Sequence, residues 1–402
     1  MKLYAKPWSN WLVPSFTRHS HALIAVLFGV AGASATASTE VMAWGNNEFA
    51  QCSGPVPDLY PYCVARPLGP YGVVQVAAGS AVTVALREDG VVLCWGMNQN
   101  GQCNVPIGLR DVRQVASGLL HTMALTRAGQ VVCWGWNGNG QCTVPASSVP
   151  RRQVAAGGYH SLALRSDGTV VCWGRNTSGQ CLGNNSQGVS YTYKAAGEIV
   201  RLGGLGLYGA TQISGGELHS AALKDDSSVA CWGENSNGQC NTPSGLTGVK
   251  QVVAAQDHTI ALRLDGSVTC WGNDAWKQCV PPADLFDIDK IAVSGSVTVA
   301  LTKSKTVRCW GDNWYGQCNV PEGVNNVRDI AAGSAYALAL QSRCESDVDG
   351  NEFVDFADVA MVLLEFGACS PMPLCITDTD GSGEIDLGDI AYMLLDFGPC
   401  LN

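Results

Sequence analysis

Apolar and polar residues alternate with a period of two through most of the chain, the pattern of short half-buried strands. The clearest unit runs from Gln153 to Cys181 and contains four short runs separated by glycine-rich turns. The runs are Gln153–Ala156, Ser161–Arg165, Thr169–Trp173 and Gln180–Cys181. Asp167-Gly168, between the second and third runs, is a strong hairpin signal. Each unit is therefore predicted to be a four-stranded antiparallel meander.

The unit recurs along the chain, and each copy carries the dipeptide Trp-Gly. The tryptophans are Trp44, Trp95, Trp134, Trp173, Trp232, Trp271 and Trp310. Their successive numbers differ by 51, 39, 39, 59, 39 and 39, so the basic period is 39 with additions of 12 and 20. The additions, Gly54–Gly72 and Leu182–Ala210, are expected on the face opposite the loops that join strands three and four.

The first and last units are incomplete in a complementary way. The first holds only its last two strands, beginning at Val41, and the last holds only its first two, Asp329–Gly333 and Tyr336–Gln341. Joined, they would complete a seventh sheet and remove the open edge. The pattern predicts an all-β, seven-bladed propeller with four-stranded blades over residues 39–343, closed by pairing of its two ends.

Three segments resemble the regulator of chromosome condensation repeat family, and most closely its bacterial branch, which includes the propeller-type β-lactamase inhibitory proteins. They are AAGGYHSLAL (Ala155–Leu164), SDGTVVCWG (Ser166–Gly174) and WGDNWYGQCNVP (Trp310–Pro321). The resemblance covers most of the chain between the two termini and implies the propeller fold. It implies little about function, because this family binds many unrelated partners.

Cysteine is abundant, with 18 residues, and most of it follows the repeat. Six units carry pairs whose numbers differ by nine: Cys94 and Cys103, Cys133 and Cys142, Cys172 and Cys181, Cys231 and Cys240, Cys270 and Cys279, and Cys309 and Cys318. Across a hairpin this spacing suits a disulfide. Cys52 lacks the usual partner, since Ala43 stands there, and is expected to pair with Cys63 in the first addition. Buried free thiols are the alternative, and a structural zinc would need four ligands together.

The tail, residues 344–402, forms a second repeat with a period of 31. Two twelve-residue loops place oxygen ligands as an EF-hand does, with a backbone carbonyl at the seventh position. The predicted ligands are Asp347, Asp349, Asn351, Phe353, Asp355 and Asp358, then Asp378, Asp380, Ser382, Glu384, Asp386 and Asp389. Two Ca²⁺ ions are expected. The first site should be weaker, because Glu352 replaces the glycine of the sharp turn. Apolar helices are predicted at Val359–Phe366 and Ile390–Phe397.

This duplicated loop and helix resembles the dockerin family, which implies docking into a cohesin-like module of a scaffold or cell surface. The residues after loop position nine, Phe356-Ala357 and Leu387-Gly388, differ from the Ser-Thr common in clostridial dockerins. The tail also has four cysteines, for which two symmetric pairings are open. One joins Cys344 to Cys400 and Cys369 to Cys375; the other joins Cys344 to Cys369 and Cys375 to Cys400.

The N-terminus is predicted to be a cleaved signal peptide, residues 1–37. Lys2, Lys6 and Arg18 precede the apolar run Ala22–Val30, and small residues that suit a cleavage site follow it. The run is shorter than a membrane span, so the mature protein is expected to have none and to be secreted, held at the cell surface or periplasmic. The cysteine usage agrees with an oxidising compartment.

The tail and the propeller differ in net charge, and this difference limits the classes of partner that we expect. The formal net charge is −10, but residues 39–343 carry 21 acids and 21 bases, and residues 344–402 carry 13 acids and no base. Nucleic acid is not expected as a partner, because phosphate binding needs clustered Lys and Arg. A monomer is expected.

No catalytic constellation is visible, so the chain is predicted not to be an enzyme. His121, His160, His219 and His258 share one repeat position that holds Val82, Val297 and Tyr336 elsewhere, which indicates a structural role. Strand parity puts one set of variable loop positions on a single face: Phe49, Met97, Trp136, Tyr159, Trp276, Trp314 and Tyr315. These residues either bind a partner or pack between neighbouring blades.

Three functions fit these observations. The first is a non-catalytic protein- or glycan-binding propeller anchored through its calcium-dependent tail. The second is an inhibitor of a secreted enzyme, which the resemblance to the inhibitory propellers implies. The third is a component of polysaccharide degradation with an unrecognised glycoside hydrolase site, because dockerins often accompany such enzymes.

Overall fold

The structure is a computed structural model of the whole chain. It describes residues 38–52, 63–65, 72–181, 201–202 and 205–343, and in the tail 353–354, 356–364, 367–368, 384–385, 387–388, 390, 393 and 398–399. Ser38–Arg343 forms one compact unit, and Cys344–Asn402 belongs to another. The predicted signal peptide and most of both additions lie outside the described residues.

The propeller unit consists of antiparallel sheets that repeat along the chain. Within the described residues there are six three-stranded sheets and one four-stranded sheet, numbered here as blades 1 to 7. Blades 1 to 3 contain Val73–Ala78, Val82–Arg87, Val92–Gly96; Val112–Ser117, His121–Thr126, Val131–Gly135; and Arg151–Ala156, His160–Arg165, Val170–Gly174. Blades 4 to 6 contain Ala210–Gly215, His219–Lys224, Val229–Gly233; Val249–Ala254, His258–Arg263, Val268–Gly272; and Ile288–Ser294, Val297–Thr302, Val307–Gly311. Arg201–Leu202 and Leu205–Gly206 form a separate two-stranded ribbon.

Blade 7 closes the ring by combining the two ends of the unit. Val327–Ala332 and Tyr336–Arg343 supply its first two strands, and Ser38–Gly45 supplies the third. The pairing runs without interruption from Ser38 opposite Arg343 to Gly45 opposite Tyr336. The first strand of blade 7 also contacts the first strand of blade 1, as the first strands of successive blades do throughout. The predicted closure is therefore present.

The prediction of four-stranded blades is wrong for blades 1 to 6, whose described sheets have three strands. The fourth run, such as Gln180–Cys181, lies in a turn. Side chains within the loop accept hydrogen bonds from its backbone amides, so few backbone groups remain to pair with a neighbouring strand. In blade 2, Asn137 Oδ1 accepts from the Cys142 amide at 2.8 Å, and Gln141 Oε1 accepts from the Asn139 amide at 3.0 Å. Only blade 7 gains an outer strand, Cys63–Ala65, among the described residues.

Each loop that follows a third strand fastens the next blade. Gln102, which follows blade 1, is fully buried, and its carbonyl accepts from Trp134 Nε1 at 3.0 Å and Thr122 Oγ1 at 2.8 Å in blade 2. A second contact joins the first strands: Gln114 donates to the Val154 carbonyl at 3.0 Å and accepts from its amide at 2.9 Å. The repeated Gln residues of the sequence are thus inter-blade connectors.

The glycine of Trp-Gly is required by its backbone and its surroundings. Gly135 has a φ of +100°, and a Cβ there would lie 2.7 Å from the Leu120 carbonyl oxygen. The equivalent glycines of all seven blades have φ values from +99° to +109°. A side chain at this position would separate the third strand from the turn that it closes.

The tail shows the duplication that the sequence predicts. Phe353–Val354 pairs with Gly398–Pro399, and Gly367–Ala368 pairs with Glu384–Ile385. Each ribbon joins one copy of the 31-residue repeat to the other, because Glu384–Ile385 lies 31 residues after Phe353–Val354 and Gly367–Ala368 lies 31 residues before Gly398–Pro399. A helix spans Phe356–Leu364 and has Asp358 in its first turn.

Candidate functional site

One face of the propeller is built from two kinds of segment in every blade: the turn between strands one and two, and the loop after strand three. Backbone hydrogen bonds join them, as in Trp136 N to Leu120 O at 2.9 Å and Arg175 N to Tyr159 O at 2.9 Å. Corresponding bonds occur in all seven blades, including Asn46 N to Ala335 O in blade 7. This surface, which carries the predicted aromatic residues, is called the aromatic face below.

The exposed members of the set come from three consecutive blades. Trp276 follows blade 5, Trp314 and Tyr315 follow blade 6, and Phe49 follows blade 7. Their exposed fractions are 54%, 79%, 53% and 37%. A large aromatic side chain at such exposure makes little contribution to packing within the ring, so these residues form an open apolar arc.

The other members of the set pack within the propeller. The rings of Trp136 and Tyr159 meet edge to face with centroids 5.5 Å apart, and Arg175 lies 5.6 Å from the centre of the Tyr159 ring. Met97 packs against the core between blades 1 and 2. Trp136, Tyr159 and Met97 are half-buried. The set therefore contains exposed residues that are available to a partner and residues that pack between blades, the two alternatives stated from the sequence.

Carboxylates accompany the aromatic arc and were not singled out from the sequence. Glu217, Asp257 and Asp312 stand on the aromatic face of blades 4, 5 and 6, in the turns or directly after the third strand. Comparison of the repeat units position by position could have found Glu217 and Asp257, since no other blade carries an acid at either position.

The propeller axis opens on this face as a cavity of about 110 Å³. Its wall consists mainly of glycine, alanine and serine from the ends of the first strands, together with Glu217 and Gln256. Burial, helped by the nearby Asp257, raises the pKa of Glu217 above its usual range, and Arg175 partly opposes this. The half-buried Glu217 carboxylate has no hydrogen bond or ion pair among the described residues.

The repeat-slot histidines lie in the core, as expected for a structural role. His121, His160 and His219 each place Nε2 2.9 to 3.0 Å from a hydroxyl of the next blade. For His160 the partner is Ser220, whose hydroxyl donates to the Gln180 carbonyl and therefore accepts from Nε2–H. The Nδ1 atoms of these histidines are buried without a partner among the described residues.

Burial lowers the pKa of each of these histidines. The pKa is about 4 for His121, about 3 for His160 and about 4 for His219. Protonation of Nδ1 would bury a second ring N–H that has no hydrogen-bond acceptor among the described residues. These rings are therefore neutral at pH 7 and do not reach a surface where they could act on a substrate.

Three of the six predicted repeat disulfides are present in the structure. They join Cys133 to Cys142, Cys172 to Cys181 and Cys270 to Cys279, with Cα atoms 4.9, 5.0 and 5.1 Å apart. In each pair one cysteine lies in the third strand, directly before Trp-Gly, and the other lies in the following loop, as the spacing predicts.

The other three repeat pairs are not bonded in the structure. Their six cysteines are free thiols: Cys94 and Cys103, Cys231 and Cys240, and Cys309 and Cys318. As free thiols these cysteines can donate to the backbone carbonyls that also lie near the sulfur atoms of the bonded pairs. Cys240 Sγ donates to the Glu234 carbonyl at 3.6 Å, and Cys318 Sγ donates to the Asp312 carbonyl at 3.5 Å.

The paired thiols also contact each other, which favours the protonated form of one member. Hydrogen bonding to the partner thiol, together with burial, raises the pKa of Cys94 and Cys309, and burial is the larger cause for Cys231. Disulfide bonds of Cys94 with Cys103, Cys231 with Cys240 and Cys309 with Cys318 stay a prediction for exported protein, where an oxidant of the compartment would take up the two electrons and two protons of each pair.

The backbone register bears on the pairing predicted for Cys52. Residue 63 lies opposite Ala43, which occupies the repeat position of the first cysteine in the other units. Cys52 itself occupies the position of the second cysteine and is buried. The Cys52–Cys63 bond remains a prediction.

Most of the predicted calcium ligands lie outside the described residues, and of Phe353 and Glu384 only the backbone is described. Asp358 is fully buried at the start of its helix. Within the described part of the chain no group of three metal-binding side chains comes together, and no helix there is long and apolar enough to cross a membrane. The four tail cysteines also lie outside the described residues.

Comparison with known protein families identifies the repeats. The regulator of chromosome condensation (RCC1) repeat matches residues 73–102, 112–141, 152–180, 210–239, 249–275 and 288–317. These six matches correspond to blades 1 to 6 with the loops that follow them.

Solved structures show the same fold. Yeast RCC1 (Prp20), crystallised with Kap60, is 18% identical with a TM-score of 0.63, covering 86% of this chain and 98% of its own. Prp20p from Saccharomyces cerevisiae is 19% identical with a TM-score of 0.62, covering 81% and 95%. Human WBSCR16 is 19% identical with a TM-score of 0.59, covering 77% and 99%. The chain thus contains six RCC1 repeats and has the fold of the RCC1-type propellers.

Proposed function

We propose that this chain is an exported, non-catalytic propeller that binds a protein through its aromatic face, and that its tail is a calcium-dependent, dockerin-like anchor. The observation that carries the proposal is the open arc of Trp276, Trp314, Tyr315 and Phe49 on consecutive blades. Tryptophan and tyrosine dominate the energetics of protein interfaces because they bury a large area with few rotatable bonds.

A protein partner is favoured over a small substrate for two reasons. The axial cavity of about 110 Å³ is too small for most substrates, and the histidines that could act as acid or base are buried. Related propellers also bind proteins: yeast RCC1 was crystallised with Kap60, and Prp20p has binding properties to Gsp1p and histones. These partners belong to those proteins, and the low identity carries over only the fold.

The charge of the face indicates what the partner presents. Glu217, Asp257 and Asp312 lie on blades 4, 5 and 6, beside the aromatic arc of blades 5 to 7, and Arg175 is engaged with the Tyr159 ring. A partner with an apolar centre and basic residues at its rim would be complementary. A basic residue of the partner would also pair with Glu217, which has no ion pair among the described residues.

The proposed anchor rests on the duplicated tail. The two ribbons repeat with the period of the loops, and a helix follows the first loop, as the dockerin resemblance implies. Export is supported by the N-terminal pattern and by cysteine pairs placed within disulfide distance.

The test compares two sets of variants in the full chain. Trp276→Ala, Trp314→Ala and Tyr315→Ala are combined, and the matched control combines Leu264→Ala with Phe286→Ala, which are 68% and 72% exposed away from this face. The partner is captured from culture supernatant with the wild-type chain, identified by mass spectrometry, and its affinity for each variant is measured.

The triple variant should keep its melting temperature and lose at least about thirtyfold in affinity, since one interface aromatic residue contributes about 2 kcal/mol or more. The control should bind like the wild type. Equal affinities of the triple variant and the wild type would refute the proposed face. Unfolding of the triple variant would show that the aromatics serve packing instead.

A further inference from the structure

The other end of the propeller axis carries an unusual concentration of positive charge. The first strands run toward the aromatic face, so their second residues lie near the opposite mouth of the channel. These residues are Val74, Arg113, Arg152, Thr211, Lys250, Asp289 and Arg328. Four are basic and one is acidic, although the whole chain has a net charge of −10.

Most of this charge is not neutralised by carboxylates of the described residues. Lys250 Nζ lies 3.5 Å from Oδ1 of Asp289, so the one acid of this set pairs with one of its four bases. Arg113 donates from Nη2 to the Arg151 carbonyl at 2.9 Å, and Arg152 donates from Nη2 to the Ala210 carbonyl. Among the described residues neither guanidinium has a carboxylate partner. A guanidinium has five N–H donors, so most donors of both groups stay available.

Arg113 and Arg152 line one cavity. Its volume is about 420 Å³, and its other walls are Gln114, Gln153, Thr211 and Gln212. The three glutamine oxygens already accept from backbone amides of the next blades. The described lining of the cavity therefore offers two guanidinium groups and no carboxylate, and the two like charges disfavour each other unless an anion lies between them.

We propose that this cavity binds a ligand with at least two oxyanion groups, held by the guanidinium groups of Arg113 and Arg152. Arginine is suited to this role because its planar fork makes two parallel hydrogen bonds to a carboxylate, sulfate or phosphate. Phosphate esters, sulfate esters and polycarboxylates share this chemistry. The site is separate from the aromatic face, so it does not depend on the function proposed above.

Binding is measured by calorimetry on the full chain with three probes that each carry six anionic groups on a six-membered carbon ring: inositol hexakisphosphate, inositol hexasulfate and mellitate. Free inositol is the neutral control, and the phosphate arm is run without calcium. The test variant combines Arg113→Gln with Arg152→Gln. The matched control combines Arg110→Gln with Arg127→Gln, which removes the same charge from exposed residues outside the cavity.

At least one probe should bind with a dissociation constant below about 1 mM, and the test variant should lose at least about tenfold while the control changes less than about threefold. The preferred probe identifies the source of the oxyanion. A variant with Arg113→Lys and Arg152→Lys, which keeps the charge, should bind more weakly than the wild type. The proposal is overturned if no probe binds, or if the control loses as much affinity as the test variant. Melting curves check that each variant is folded, and unfolding of both arginine variants would assign these residues to blade contacts and also overturn it.

Discussion

The buried histidines make the stability of this propeller depend on pH in a window where few other groups titrate. His121, His160 and His219 have folded-state pKa values of about 4, 3 and 4, against about 6.5 in an unfolded chain. A depressed pKa means that protons bind preferentially to the unfolded chain. The contribution of these residues is therefore complete well above pH 6.5 and is lost as the pH falls below it.

The size of the effect follows from the proton counts. At pH 5 an unfolded histidine is almost fully protonated, while each buried one carries about a tenth of a proton or less. Integrated from pH 7 to pH 5, the three residues lower the free energy of unfolding by about 5 kcal/mol in total. That is a large part of the stability of a typical domain. Carboxylates contribute little here, because most of them titrate below pH 5.

The assay is urea unfolding of the full chain at pH 7, 6 and 5. The comparison variant combines His121→Val, His160→Val and His219→Val. Valine is a suitable replacement, because Val82 and Val297 occupy the same position in blades 1 and 6 and are fully buried. The wild-type free energy of unfolding should fall by several kcal/mol, and the variant should change little over the same interval. An equal pH dependence in both proteins, or a wild type that is insensitive to pH, would refute this account of the histidines.

Three further predictions concern the ring and the tail. Gly135→Ala should lower the free energy of unfolding by at least about 2 kcal/mol in the same urea assay, because the new Cβ strains a positive φ and contacts the turn. Gly108→Ala should lower it by about 1 kcal/mol or less, because φ is also positive there, at +82°, but the new Cβ would meet no atom within 4 Å. Non-reducing peptide mapping of exported protein should find all six repeat cysteine pairs bonded; free thiols at Cys240 or Cys318, as in the structure, would count against the prediction. Calorimetry should detect two calcium sites in the tail, with Asp378→Ala removing the tighter one and Asp347→Ala the weaker one; equal losses would contradict the assigned order.

The ring and its closure could be predicted from the sequence because each depends on contacts that repeat. Trp-Gly marks the end of every third strand, and its glycine has the same positive φ in all blades. The fourth strand could not be excluded in this way. Its apolar cysteine and flanking glycines suit a hairpin, but Asn137 and Gln141 take its backbone hydrogen bonds into a closed loop.

The candidate site was predictable only in outline. Strand parity places Trp136 and Trp276 on one face, and both lie there. It cannot tell that Trp136 meets Tyr159 of the next blade, while Trp276 is more than half exposed. That difference depends on which residue the neighbouring blade places beside the ring, and for Trp136 that residue lies 23 positions further along the sequence. The Glu217 cavity was missed for the same reason, since its wall comes from the turns of all the blades.

The repeat also explains how one ring can hold two different surfaces. A residue at the start of a first strand and a residue in the following turn belong to the same blade, but they face opposite ends of the axis. Arg113 and Arg152 occupy the first kind of position, and Glu217 and Asp257 occupy the second. The connectors between blades, Gln102 and its equivalents, lie at neither mouth and are fully buried. Charges at the two ends can therefore change without altering the contacts that hold the ring together, and an anion in one mouth should leave protein binding at the other unaffected.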